Sequence, residues 1–174
     1  MVKSVMVESV SKSNLITREG RSRLQEEYDF LWEKERPKVV REVSDAAAEG
    51  DRSENASYIY GRKRLREIDS RLKFLGGRLK VLKVSASPLK PVVVSFGCWV
   101  TFEDDNGDER CYQLVGPDEF DVAVGRISID SPVGTALLGR KVDDEITIRR
   151  PAGLLQATIT GISAVRPEGA AASG

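Results

Sequence analysis

The chain is 174 residues long, 40% hydrophobic and 31% charged, with 27 Lys and Arg balanced by 27 Asp and Glu. That length suits one large domain or two small ones, and a net charge of zero argues against a simple nucleic-acid binder coated in cations. There is no His, and Cys98 and Cys111 are the only cysteines, which excludes zinc fingers, His-ligated metals and Ser-His or Cys-His nucleophiles.

The overall neutrality hides an asymmetry. Residues 15–85 hold 17 Lys and Arg against 13 Asp and Glu, whereas residues 86–174 hold 8 against 13, so a basic half (+4) precedes an acidic one (−5). Two halves of opposite sign suggest two different contact surfaces. The two cysteines lack CxxC spacing and read as reduced core thiols. No apolar run approaches the roughly 20 residues of a membrane span. The first ten residues, with Lys3 and Glu8, make a poor signal peptide, so a cytoplasmic protein without a membrane partner is expected.

Residues 1–14 read as a flexible leader. Thr17 then stands as the N-cap of a first helix, with Glu19 near its positive end. Leu24, Tyr28 and Leu31 begin an apolar seam that drifts after Pro37, where a proline inside a helix is expected to bend it. Gly50 is the natural helix stop. A second helix follows at once, in which Leu65, Ile68, Leu72, Leu75, Leu79 and Leu82 recur at intervals of three and four, a heptad seam. Two arms of about thirty residues predict an antiparallel hairpin over 15–85 that projects roughly 45 Å. After Pro91 the period changes to that of strands. Val92–Phe96, Cys98–Phe102, Arg110–Val115, Arg126–Ile129, Glu145–Ile148 and Ala157–Ile162 read as strands, Asn106-Gly107 as a hairpin turn, and Pro132–Leu138 as a short helix. The whole is an α+β protein whose second domain, residues 86–166, is built on a mainly antiparallel sheet, with a small-residue tail over 167–174.

The hairpin tip, Gly50-Asp51-Arg52-Ser53-Glu54-Asn55-Ala56, carries two carboxylates three residues apart. Asp51 as N-cap with Glu54 at N3 makes an acidic capping box. The same spacing also lets both carboxylates face one way on a helical turn. Two carboxylates alone make a poor magnesium site. As ligands they complete a site whose other groups come from another molecule. Residues 61–83 hold nine Lys and Arg against Glu67 and Asp69 alone. Arg62, Arg66, Lys73 and Lys80 fall within about 40° of one another on the helix, opposite the leucine seam, with Lys63 and Arg64 widening the stripe near the tip. That stripe is either a solvated coiled-coil face or a surface for phosphates without base readout.

Leu15-Ile-Thr-Arg-Glu-Gly20, Glu35-Arg-Pro37, the tip heptapeptide, Lys63-Arg-Leu-Arg-Glu-Ile-Asp69 and Ile127-Ser-Ile-Asp-Ser-Pro132 together resemble the Gre transcription elongation factors, the GreB type most of all. The resemblance covers about residues 15–165. It implies a coiled coil that enters the secondary channel of bacterial RNA polymerase and an FKBP-like carboxy-terminal domain that docks at the channel rim. It implies further that the chain is no enzyme by itself and acts as a monomer, stimulating the polymerase to cleave its own backtracked RNA. Asp51 and Glu54 match the acidic pair that helps hold a catalytic Mg²⁺ shared with the polymerase. Ser53, Asn55 and Tyr58 match residues that support the tip. Arg62, Lys63, Arg64 and Arg66, extended by Lys73, match the patch contacting the nascent RNA 3′ end. Asp130, Ser131 and Pro132 match a docking segment, although Ser131 or Asp130 as N-cap with Pro132 at N1 reads equally well as a helix start. Thr135 stands where the family pattern often has Arg, and Asp143-Asp144 replaces a more usual Gly-Asp. Three rivals remain: a non-cleaving channel regulator, a prolyl isomerase and a coiled-coil adaptor.

Overall fold

The computed structural model describes residues 13–50 and 55–169, which divide into two units. Residues 18–82 form the first; the second joins the segment before residue 18 to everything after residue 82.

The first unit is the helical hairpin. Helix α1 (Arg18–Phe30) passes through a π-helical turn (Leu31–Glu35) into α2 (Arg36–Ala48), and α3 (Ala56–Val81) returns antiparallel to both. The buried residues of the outgoing arm explain why its seam looked irregular. Leu24, Leu31, Val39 and Ala46 are buried at intervals of seven, eight and seven. The extra residue falls in the π turn, where the Arg36 N–H bonds Leu31 O, five residues back. A π turn is a one-residue insertion in a helix. It keeps Val39 and Ala46 facing α3, and it lies just before Pro37, which has no N–H to give and sits in the first turn of α2. The expected disturbance is thus met one turn upstream. On α3 the matching heptad is Gly61, Ile68 and Leu75, continued by the C-cap Leu82, all buried. Ile68 and Leu75, at 2% and 0% exposure, each contribute about 1.5–3 kcal/mol by leaving water. A Cβ on Gly61 would come within 2.7 Å of Val43 Cγ2, so the glycine lets the arms close near the tip.

In the second unit, β3 (Trp99–Asp104), β4 (Glu109–Val115), β5 (Arg126–Ser128), β6 (Glu145–Arg150) and β7 (Gly153–Ser163) form one sheet in the order β5-β4-β3-β7-β6. Only the β4–β5 pair is parallel. Alternation sends Val100, Phe102, Ile146, Ile148, Leu155, Ala157 and Ile159 to one face, where Leu137 of the short helix α4 (Pro132–Leu137) joins them. Cys98 and Cys111 are buried free thiols, as read from the sequence. Asp104, itself buried, closes the Asn106-Gly107 turn by accepting from the N–H groups of Asn106 and Asp108.

Two readings need correction. Val92–Phe96 is not a strand: Val94 exchanges hydrogen bonds with Gly139 and Arg140 while Val94 and Phe96 insert into the core, so its apolar run is a buried loop. Residues 15–17, read as the start of the hairpin, belong with the sheet unit. Leu15–Ile16 (β1) pairs in parallel with Lys83–Val84 (β2), and Ile16 is fully buried.

Candidate functional site

The hairpin turn is built around Asn55. Its Oδ1 accepts from the Tyr58 N–H at 3.1 Å and so caps α3, while its Nδ2 donates to the Ala46 carbonyl at 2.8 Å near the end of α2. One side chain thereby satisfies an orphan donor of one helix and a terminal carbonyl of the other. Gly50 follows the α2 C-cap, Glu49, with φ +146°, a conformation that favours glycine. The cap offered to Asp51 in the sequence reading is therefore corrected: it falls to Asn55, because α3 begins only at Ala56. Asp51, Ser53 and Glu54 lie outside the described residues.

Below the tip, Arg62 lies over the Tyr58 ring at 5.8 Å and donates to its hydroxyl at 3.4 Å. The basic stripe divides. Lys63, Arg66, Lys73 and Lys80 are exposed and form no ion pair with any described residue. Arg64, read as an RNA contact, pairs with Glu35 across the hairpin at 3.4 Å and with Glu67 at 3.6 Å. Arg71, in the same arm, clamps Glu27 of α1 through two bonds of 2.6 and 2.8 Å. Those hydrogen bonds hold the Glu27 carboxyl below its ordinary value, outweighing the opposing effect of burial. The cations thus serve two ends, some stitching the arms together and the rest facing water.

In the sheet unit, the segment read as docking is first a helix start. The Ser131 hydroxyl accepts from the Gly134 N–H at 3.0 Å and donates to Ser128 O at 2.6 Å, and Pro132 opens α4. Thr135 donates to the Ser131 and Pro132 carbonyls. Asp130 is exposed, and its Oδ2 accepts from the Ser13 N–H at 2.8 Å. Asp143 has φ +71°, a conformation that favours glycine. Sequence reasoning missed Glu119, whose buried carboxylate accepts from Thr17 and Gly116. One acid beside Asp118 and Asp121 in a loop gave no signal of it.

Residues 14–84 match the family model described as "Transcription elongation factor, N-terminal", and residues 89–164 match that for "Transcription elongation factor, GreA/GreB, C-term". The chain belongs to the GreA/GreB family of transcription elongation factors. This Gre factor is 56% identical to the transcription elongation factor GreB of Pasteurella multocida, over 84% of this chain and 93% of that one. It is 57% identical to GreB of Yersinia pestis, over 83% and 85% of the two chains. The crystal structure of GreA factor homolog 1 of Thermus thermophilus overlays with a TM-score of 0.40 at 23% identity, covering 85% of this chain and 97% of that one.

Proposed function

We propose that this elongation factor binds bacterial RNA polymerase, enters its secondary channel with the hairpin tip and stimulates cleavage of backtracked RNA. The observation that carries the reading is the division of labour at the tip. Asn55 caps α3 and ties it to α2, so Asp51 and Glu54 are not needed to start the helix. Two carboxylates at the end of the hairpin then have a chemical use.

Their donor set fits Mg²⁺ in kind, being hard anionic oxygen, and falls short in number, since an octahedral ion needs further ligands. No cluster of three or more His, Cys, Asp or Glu exists among the described residues to make up the difference. Asp51 and Glu54 would therefore hold the ion jointly with polymerase groups, and the bound ion would supply an activated water and stabilise charge at the cut phosphate. Ser53 stands between the two acids in sequence, and Tyr58 follows Glu54 by four residues. Lys63, Arg66 and Lys73, together with Arg62 seated on Tyr58, present positive charge along which an extruded RNA 3′ end can lie. The exposed carboxylate of Asp130, beside the Ser131 cap and Pro132, is the docking contact of the carboxy-terminal unit, whose sheet and short helix we read as FKBP-like. The factor is read as a cytoplasmic monomer that is not an enzyme alone; among the described residues no helix is long and apolar enough to cross a membrane.

A cleavage time course on stalled, backtracked polymerase tests this directly. The full chain is expected to accelerate release of 3′ RNA fragments. No acceleration by a factor shown to bind would leave a channel regulator instead.

A further inference from the structure

Along α3 runs an open groove of about 680 Å³, lined by residues that include Lys63, Arg66, Glu67, Arg71 and Phe74. Its charges sort by partner. Arg71 is clamped by Glu27 and Glu67 faces Arg64 at 3.6 Å, whereas Lys63 and Arg66 are exposed and form no ion pair with any described residue. Phe74 ends the groove on the side away from the tip. The Arg71 guanidinium lies over its ring at 5.3 Å, and the residue is still 43% exposed. Tyr60, about one helical turn before Lys63, is 72% exposed. Helical geometry puts Tyr60 and Phe74 within about 40° of one another on α3 and about 21 Å apart along its axis.

A single exposed aromatic needs no explanation. Two on one helix face, with two exposed cations between them, are the parts of a single-strand platform, in which rings stack bases and cations hold the phosphates between. An acidic protein surface would match the cations alone, and a duplex hides its base faces. We infer that this groove holds single-stranded RNA by its bases, with Tyr60 and Phe74 stacking them and Lys63 and Arg66 taking the intervening phosphates. The inference rests on the reading of the hairpin as the element that meets extruded RNA. At the rise of about 3.4 Å per nucleotide of a stacked strand, the platform spans roughly six nucleotides. A transcript that has just reached Tyr60 must be extruded by about that much more to reach Phe74. Short extrusions are then held by Tyr60 alone and long ones by both rings.

The first arm of the test needs no polymerase. The full chain is titrated at low salt with single-stranded RNA of twice that span, carrying a fluorescent base analogue that stacking quenches. Tyr60→Leu and Phe74→Leu are each expected to bind about five- to hundredfold more weakly, and Phe74→Tyr like the parent. An abasic strand of equal length is expected to bind the parent poorly and to ignore the substitutions. The second arm measures cleavage in complexes backtracked by a short or a long extrusion. Phe74→Leu is expected to raise the half-maximal factor concentration for the long extrusion only, and Tyr60→Leu for both. Equal binding of abasic and intact strands by the parent overturns the platform, whatever the variants do. So does a Phe74→Leu chain that binds RNA like the parent. Weaker competition by Phe74→Leu for polymerase without extruded RNA makes the ring a protein contact and also overturns it. Ring-dependent RNA binding by a parent that stimulates no cleavage supports the platform and removes the cleavage reading instead.

Discussion

The Glu119 carboxylate receives both the backbone N–H and the hydroxyl of Thr17, at 2.8 and 2.6 Å, from a position 6% exposed. Gly116 completes the arrangement. Its N–H reaches the same carboxylate at 3.2 Å, and a Cβ there would stand 2.0 Å from the Leu15 carbonyl. Thr17→Val is expected to cost about 1–3 kcal/mol, the worth of a hydrogen bond to a charged group. Glu119→Ala strands two backbone donors and is expected to cost more, about 2–5 kcal/mol. Urea unfolding followed by circular dichroism measures both. A fragment that starts at residue 86 lacks Thr17 and is expected to be destabilised by a similar amount. Losses under about 0.5 kcal/mol for both variants would show that the link is incidental.

The Glu27–Arg71 clamp gives the hairpin a defined acid sensitivity. Because the folded carboxyl lies below its ordinary 4.5, the pair contributes fully above that value. Its contribution is lost as pH falls through the lower folded value. Both side chains are more than a third exposed, so the stake is about 0.5–1 kcal/mol. Arg71→Gln is expected to lower stability near neutral pH and to make less difference in acid, once pH has fallen through the folded value. An equal loss at both pH values would assign the effect to the Arg71 guanidinium over the Phe74 ring, 5.3 Å from its centroid.

The exposed cations should act on RNA through charge alone. Arg62, Arg66 and Lys73, all changed to Gln, are expected to weaken crosslinking to RNA near the tip and slow cleavage of deeply backtracked complexes. The salt dependence of that contact should flatten by up to about 2 in log–log slope, since each single-strand phosphate contact contributes about 0.7. Arg64→Gln, by contrast, is expected to act on hairpin stability through Glu35. Normal cleavage of long extruded RNA by the triple variant at low salt would leave the stripe a solvated face.

Docking and helix capping can be separated in the Asp130-Ser131-Pro132 segment. Asp130→Ala removes an exposed carboxylate and leaves the α4 cap intact, so it is expected to raise the concentration for half-maximal cleavage more than it lowers the saturated rate. Ser131→Ala removes the cap and is expected to cost about 1 kcal/mol of stability in the sheet unit. A drop in the saturated rate with Asp130→Ala, at unchanged half-maximal concentration, would place Asp130 in the chemistry instead.

The heptad on α3, the strands β3 to β7 and the helix at Pro132 were legible because each follows one period along the chain. What was not legible depends on residues distant in sequence. The π turn looks like a failing seam until Val39 and Ala46 are seen to face α3. Val92–Phe96 has the composition of a strand, but its hydrogen bonds go to Gly139 and Arg140 and not to a ladder. Strand β1 is two residues long, too short for any period; it pairs with Lys83–Val84, and Thr17 beside it is held by Glu119, about a hundred residues away. At the tip the types were right and the assignment wrong. Asn is as good an N-cap as Asp, so residue preference gave Asp51 no claim over Asn55, four residues on.

That ranking sharpens the test of the acid pair. With Asn55 as the cap, Asn55→Ala is expected to cost about 1 kcal/mol of hairpin stability and also to loosen the turn, since the Ala46 carbonyl loses its link to α3 and keeps only the Glu49 N–H. Asp51→Asn with Glu54→Gln removes no α3 cap. It gives up only charge near the helix N-terminus, a loss within about 1 kcal/mol. Amide oxygen carries no formal charge and binds a hard cation far less well than carboxylate. If the pair helps hold Mg²⁺, the double variant is expected to melt like the parent, compete for polymerase like the parent and lose stimulated RNA cleavage. Raised Mg²⁺ should partly rescue each single variant by mass action, but not Asn55→Ala, whose defect is in the fold of the tip. Circular dichroism melting, a competition assay and a cleavage time course supply the three readings. Full cleavage by a folded, polymerase-bound double variant would falsify the metal role and leave the hairpin with its cations alone.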